Sequence, residues 1–168
     1  MKDIEYMREI SEKFKAYYDM SFNIRMFNKD FEMFAKFNNR TVKYLLTRKN
    51  EIDAFENNEY IFYKNIKSLS SEYIHGIREF INENVEDIVN VSNEHMSSII
   101  TFVLCGDIQL DEGTKKAIKK FKYYKSFFLG LKGWVNVKMV FINPMTREIY
   151  TNKFGKEDSK RFMLESKN

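Results

Sequence analysis

Trp134, Asn136 and Lys138 alternate along WVNVKMVFI, and alternation of that kind puts side chains on one face of a β-strand. An indole beside an amide and an ammonium group makes a stacking platform, where a planar ring can lie on the indole while the cation meets a phosphate or another anion. Lys132 and Lys125 extend the basic character upstream, within KYYKSFFLGLKGWV, residues 122–135, a run of three lysines and five aromatic rings without an acid. The competing reading is structural: Trp134 packs beneath a helix or pairs across strands, and the lysines are a solvated edge that discourages aggregation.

A second set of residues suggests metal-dependent chemistry. Asp53 precedes EYIFYK, with Glu56, Glu59 and Lys64 close by, and carboxylates holding Mg²⁺ at a scissile phosphate beside a lysine are what a divalent-metal nuclease requires. The pattern fails at Phe62, two positions before Lys64, where restriction-type nucleases place an acid or amide. Cys105 is a nucleophile only if His75 or His95 folds beside it, and a small buried hydrophobe is the simpler reading. Gly130 and Gly133 lack the following helix that would hold a phosphate, so they mark a bend or bulge. One cysteine and two histidines cannot supply a structural zinc site, and no cofactor is expected.

The elements that must position these groups follow from periodicity. Ile4, Met7, Ile10, Phe14 and Tyr17 form one stripe of a first helix. From Ser21 the period becomes two, giving a hairpin around Asn28-Lys29 with Ile24 facing Met33 and Arg25 facing Glu32. A turn at Asn38-Asn39 then leads to a strand TVKYLLTRK, and another hairpin turns at Asn57-Asn58. SLSSEYIHGIREFINENVEDIV is a second helix capped by Ser70, with a staple between Leu69 and Ile74 and a stripe of Tyr73, Ile77, Phe80, Ile81, Val85 and Ile88. A strand buried on both faces, SSIITFVLC, follows, then a short helix starting near Asp111, a long strand interrupted at Gly130 and Gly133, WVNVKMVFI, a turn at NPMT and a last strand REIYTNK. The expected fold class is α+β: a twisted, mainly antiparallel sheet with two main helices packed on one face.

A chain of 168 residues with 43% apolar and 16% aromatic residues is long enough to bury a core as a single domain, expected over residues 1–152 with a polar, mobile tail over 153–168. No apolar run reaches the length of a membrane span and the N-terminus is too charged for a secretory signal, so a cytoplasmic location with no membrane partner is expected. Residues 113–147 carry a charge of +9 with no acid, against −5 for the rest. The abundance of lysine and aromatic residues also tracks A/T-rich codons, so the count alone carries no argument for binding.

FAKFNNRTVKYLLTRK, AFENNEYIFYK, EHMSS, YYKSFFLGLKGW and YTNKFGKE together resemble a small uncharacterised domain family of clostridia and their relatives. That resemblance spans nearly the whole chain and implies a single-domain bacterial protein with no activity or catalytic residues to carry over. The leading expectation is a non-enzymatic binding domain whose Trp134, Lys138, Asn136, Lys132 and Lys125 meet an anionic or planar partner such as nucleic acid, another polyanion or a small ligand. The alternatives are a structural protein that forms homo-oligomers, and a divalent-metal nuclease with a degenerate motif.

Overall fold

In the computed structural model the backbone is described for residues 3–44 and 51–163, and the side chains for 4–41 and 56–163. The expected strand residues 45–49 and the side chain of Asp53 lie outside that description. Helix α1 (Asp3–Phe14) leads into a seven-stranded open sheet of β1 (Asp19–Met26), β2 (Lys29–Tyr44), β3 (Glu51–Asn65), β4 (His95–Cys105), β5 (Tyr124–Ser126), β6 (Trp134–Ile142) and β7 (Ile149–Thr151). Helix α2 (Ser71–Val89) joins β3 to β4, and α3 (Glu112–Lys120) lies between β4 and β5. The strand order is β1-β2-β3-β4-β6-β5, with β7 also on β6. The fold is therefore α+β. The sheet is mostly antiparallel, but both helical crossovers return in parallel, so β4 is parallel to β3 and to β6.

The helices do not share one face. Ile74, Ile77, Phe80, Ile81 and Val85 of α2 and Ile118 of α3 pack with Phe62, Phe102, Val135, Val137 and Met139, whereas Tyr6, Ile10 and Phe14 of α1 pack with Ile61, Tyr63, Val103, Val140 and Ile142 on the other side. The sheet is thus the middle of three layers. The parallel strands buried between two layers are the continuous apolar runs that such a position demands.

Local signals held where no distant partner intervened. Ser70 Oγ accepts the Tyr73 N–H at 3.3 Å, the cap expected there, and the helix expected to start near Asp111 is capped by that residue, which accepts both the Thr114 N–H at 2.8 Å and its hydroxyl at 2.7 Å. The stripe of α1 is rotated from the expected one: Tyr6, Ile10 and Phe14 are buried, while Ile4 and Tyr17 are exposed. Tyr6 can be buried because its hydroxyl donates to Phe162 O at 2.6 Å. His75 is exposed on α2.

The hairpin between β1 and β2 turns one residue earlier than expected, at Phe27 (φ 49°) and Asn28 (φ 62°). Two positive φ values are what a two-residue turn needs to match strand twist. The register therefore shifts by two, pairing Ile24 with Phe31, Phe22 with Met33, and Arg25 with Asp30. A shift of two by itself keeps each side chain on its face, but the ladder skips Asn23 (φ 50°) and Glu32, so Ile24 and Phe31 pack on the α2 side while Met33 and Ala35 pack on the α1 side.

The two asparagine turns do not exist. β2 and β3 run straight through Asn38-Asn39 and Asn57-Asn58, which pair with each other across the ladder. Asn38 Nδ2 donates to Asn58 Oδ1 at 2.6 Å, so amides that favour turns in isolation are satisfied by a neighbouring strand instead. The segment after Asn152 is not a free tail up to Met163. Two 3-10 turns, Lys153–Gly155 and Glu157–Phe162, lie against the α1 side of the sheet, where Phe162 is buried. Among the described residues no helix is long and apolar enough to cross a membrane.

Candidate functional site

β6 carries two faces. Val135, Val137, Met139 and Phe141 belong to the core under α2, whereas Val140 and Ile142 belong to the core under α1. Trp134, Asn136 and Lys138 share the second face by alternation. Helix α1 covers only its far end, so Trp134 and Asn136 stay half-buried with no helix above them.

Pairing extends this floor across the sheet. Trp134 lies in a row with Ser97 and Asn57, Asn136 with Ile99 and Glu59, and Lys138 with Thr101 and Ile61. Ser97 Oγ donates to Asn57 Oδ1 at 2.5 Å. On the outer side, β5 sets Tyr124 opposite Asn136 and Ser126 opposite Trp134. The Tyr124 and Trp134 rings stack with centroids 6.3 Å apart and 27° between planes, and Tyr124 is 64% exposed. Aromatic pairing here leaves a ring face open to solvent.

Beside this pair opens a groove of about 520 Å³ bordered by Lys122, Tyr124, Asn136, Lys138, Lys153 and Phe154. Lys122 and Lys153 are exposed at its rim. Asn152 holds its wall together. Its Nδ2 donates to Val137 O at 2.9 Å and Phe121 O at 3.2 Å, and its Oδ1 accepts from Met139 N at 3.0 Å and Gly155 N at 2.9 Å. With all four positions used and the residue buried, Asn152 positions the groove and has nothing left to offer a ligand.

Lys138 is not an open cation. Its Nζ donates to Asp158 and lies 5.2 Å from the Phe154 ring centroid. Burial holds its ammonium below the ordinary lysine range, Glu59 opposes that shift and Arg161 adds to it. The ion pair is one end of a polar chain: Arg161 is 3.9 Å from Asp158 and 3.2 Å from Glu59. The Tyr18 hydroxyl donates to Glu59 and accepts from Arg161. Tyr18 is pushed up to about 12, chiefly by burial and next by its bond to Glu59.

Lys125 and Lys132 stand apart from the groove. Lys125 pairs with Val135 in the ladder and so faces the α2 side, where it reaches Glu86 at 2.7 Å. Lys132 lies in the loop before β6, its Nζ 4.5 Å from the Phe128 ring centroid. The fold therefore brings Trp134, Asn136 and Lys138 together and separates Lys125 and Lys132 from them. Tyr124, Lys122, Lys153, Phe154 and the two acids Glu157 and Asp158 also line the site. KYYK flagged Tyr124 and Lys122 in the sequence, but nothing local pointed to the segment around Phe154.

The nuclease set is taken apart by β3. Glu56 and Lys64 sit in one continuous strand, eight residues and roughly 26 Å apart, and Glu59 faces the opposite side from both. Glu59 is bound to Tyr18 and Arg161, and Lys64 donates to Asp30 O at 2.5 Å. Cys105 and His95 are the two ends of β4, so no thiol–imidazole pair forms. His95 is instead buried, with Nδ1 2.6 Å from Lys132 O and Nε2 2.8 Å from Ser98 Oγ.

Residues 2–164 match the family model described as a domain of unknown function (DUF8052). No curated protein and no solved structure matches the chain.

Proposed function

We propose, from the premise that the chain belongs to this DUF8052 family of domains of unknown function, that it is a non-enzymatic binding domain for a planar, anionic ligand of nucleotide size. The observation that carries this reading is the stacked Tyr124–Trp134 pair on a stretch of sheet that α1 leaves uncovered, opening onto a groove of about 520 Å³. A rigid sheet floor costs little ordering on binding. A base or other flat ring extends the stack on Tyr124, Asn136 Nδ2 is left to donate because its Oδ1 accepts from Val137 N at 2.9 Å, and Lys122 and Lys153 at the rim meet the anionic group. The Lys138–Asp158 pair contributes a polar wall, not net charge. The ligand is thus held mainly by stacking, with charge at the rim.

The test uses the only tryptophan of the chain. Trp134 fluorescence is titrated with adenosine monophosphate and with a short oligothymidylate, which separates a free nucleotide from a unit of a single strand. The expected result is quenching by at least one, weakened by added salt and weakened about tenfold or more by Tyr124→Ala. Fluorescence that neither probe changes, or binding indifferent to Tyr124→Ala, overturns the reading.

A further inference from the structure

The loop joining β5 to β6 departs from what a soluble surface normally shows. Phe128 is 66%, Leu129 100% and Leu131 86% exposed. Single exposed hydrophobes are ordinary, but three adjoining ones at one apex are not. Phe128 and Leu129 also hold positive φ values of 49° and 55°, a conformation costly for bulky residues. The chain spends that strain to turn these side chains outward.

The apex is built, not slack. Gly130 N and Lys132 N donate to Phe127 O at 3.0 and 3.2 Å, Leu131 N donates to Phe128 O at 3.0 Å, and Phe127 N closes the neck on Gly133 O at 2.9 Å. Below it, the buried Phe127 ring meets His95 edge-on at 5.7 Å. His95 Nδ1, 2.6 Å from Lys132 O, ties the loop to β4. Gly133 is required at the neck, because a Cβ there would come within 2.3 Å of Met96 O. Lys132 at the base of the apex folds over the Phe128 ring and Lys122 is exposed just before β5, whereas Lys125, 5.6 Å from the Phe127 ring centroid, is already paired with Glu86 at 2.7 Å. Residues 113–147 contain no acid.

We propose that this tip is a membrane-attachment loop that inserts Phe128, Leu129 and Leu131 into one leaflet of an anionic phospholipid bilayer, with Lys132 and Lys122 at the headgroups. An apolar apex with Lys132 and Lys122 behind it complements a bilayer whose surface is anionic and whose interior is apolar. The convex tip suits a fluid surface that needs no matching pocket. Tyr124 and Trp134, at the foot of the same hairpin, fall at the depth where amphipathic rings are favoured. The expectation of no membrane partner rested on the lack of a spanning segment, a criterion blind to a loop that dips into a single leaflet.

The full chain is floated with vesicles of phosphatidylcholine alone and of phosphatidylcholine with phosphatidylglycerol, beside the double variant Leu129→Ser, Leu131→Ser. Both substitutions lie on solvent-exposed side chains, and an unchanged thermal unfolding curve confirms that the variant folds. The expected result is flotation with the anionic vesicles, weaker flotation with neutral ones, and a loss of roughly tenfold or more in partitioning for the variant. The Tyr124–Trp134 response to nucleotides stays intact in that variant, so the two readings fail separately. Wild-type protein that stays off anionic vesicles overturns the proposal, as does a variant that floats equally well. A concentration-dependent mass in light scattering that the variant abolishes, without vesicle binding, overturns it in favour of contact between copies.

Discussion

Asn152 lies in the wall of the groove with every polar position already used, so replacing it by alanine tests how the groove is held without removing a group free to bind a ligand. The side chain is buried and satisfies Met139 N, Gly155 N, Val137 O and Phe121 O at 2.9–3.2 Å. Alanine leaves two N–H donors and two carbonyls without that partner, each costing about 1–3 kcal/mol if water does not reach it. Partial hydration of the vacated space brings the expected loss to about 3–5 kcal/mol, or roughly 6–20 °C in Tm for a domain of this size. Urea unfolding followed by circular dichroism reads it as a lower midpoint at an unchanged slope. Asn152→Asp is expected to lose at least as much, since a carboxylate then lies against two carbonyl oxygens. A loss below about 1 kcal/mol in the alanine variant, or an aspartate variant as stable as the parent, would refute the assignment of these hydrogen bonds as the groove's anchor.

Gly133→Ala meets both a φ of 76° and a backbone oxygen 2.3 Å from the new Cβ, whereas Gly130→Ala, at φ 90°, meets nothing within 4 Å; chemical denaturation should show about 2–4 kcal/mol lost at position 133 and about 1–2 at position 130. Lys138→Met should be within about 1 kcal/mol of the parent, because Asp158 keeps Arg161 nearby, while Asp158→Ala should cost about 1–3 by leaving a partly buried ammonium unpaired. Tyr18 and Tyr60 are both held up at about 12 against an ordinary 10.0, in each case mainly by burial. The unfolded chain therefore ionises first, and stability falls as pH rises from about 10 toward 12, by about 1–2 kcal/mol per tyrosine after allowance for screening; isothermal urea titrations across that range check it, and a flat profile speaks against the burial of these hydroxyls.

Much of this molecule was legible in its order of residues. Ser70 and Asp111 cap their helices as side chains of that type do wherever a helix must start, because the bond closes within three residues. The alternation of Trp134, Asn136 and Lys138 survives in β6, since the period of a strand is a property of the backbone. What alternation cannot say is which of two faces a helix covers, and α1 went to the side opposite α2. The asparagine pairs mislead for a related reason: their preference for turns is worth little against the twelve residue pairs that join β2 to β3 from Met33–Tyr63 to Tyr44–Glu51, and only the partner strand reveals that their amides are already satisfied. Charge is the least local quantity of all. The run of lysines was plain in the sequence, but tertiary structure alone set Asp158 on Lys138 and Glu86 on Lys125 and left the tip of Phe128, Leu129 and Leu131 bare, because an ion's partner and a side chain's exposure depend on whatever folds over them from far along the chain.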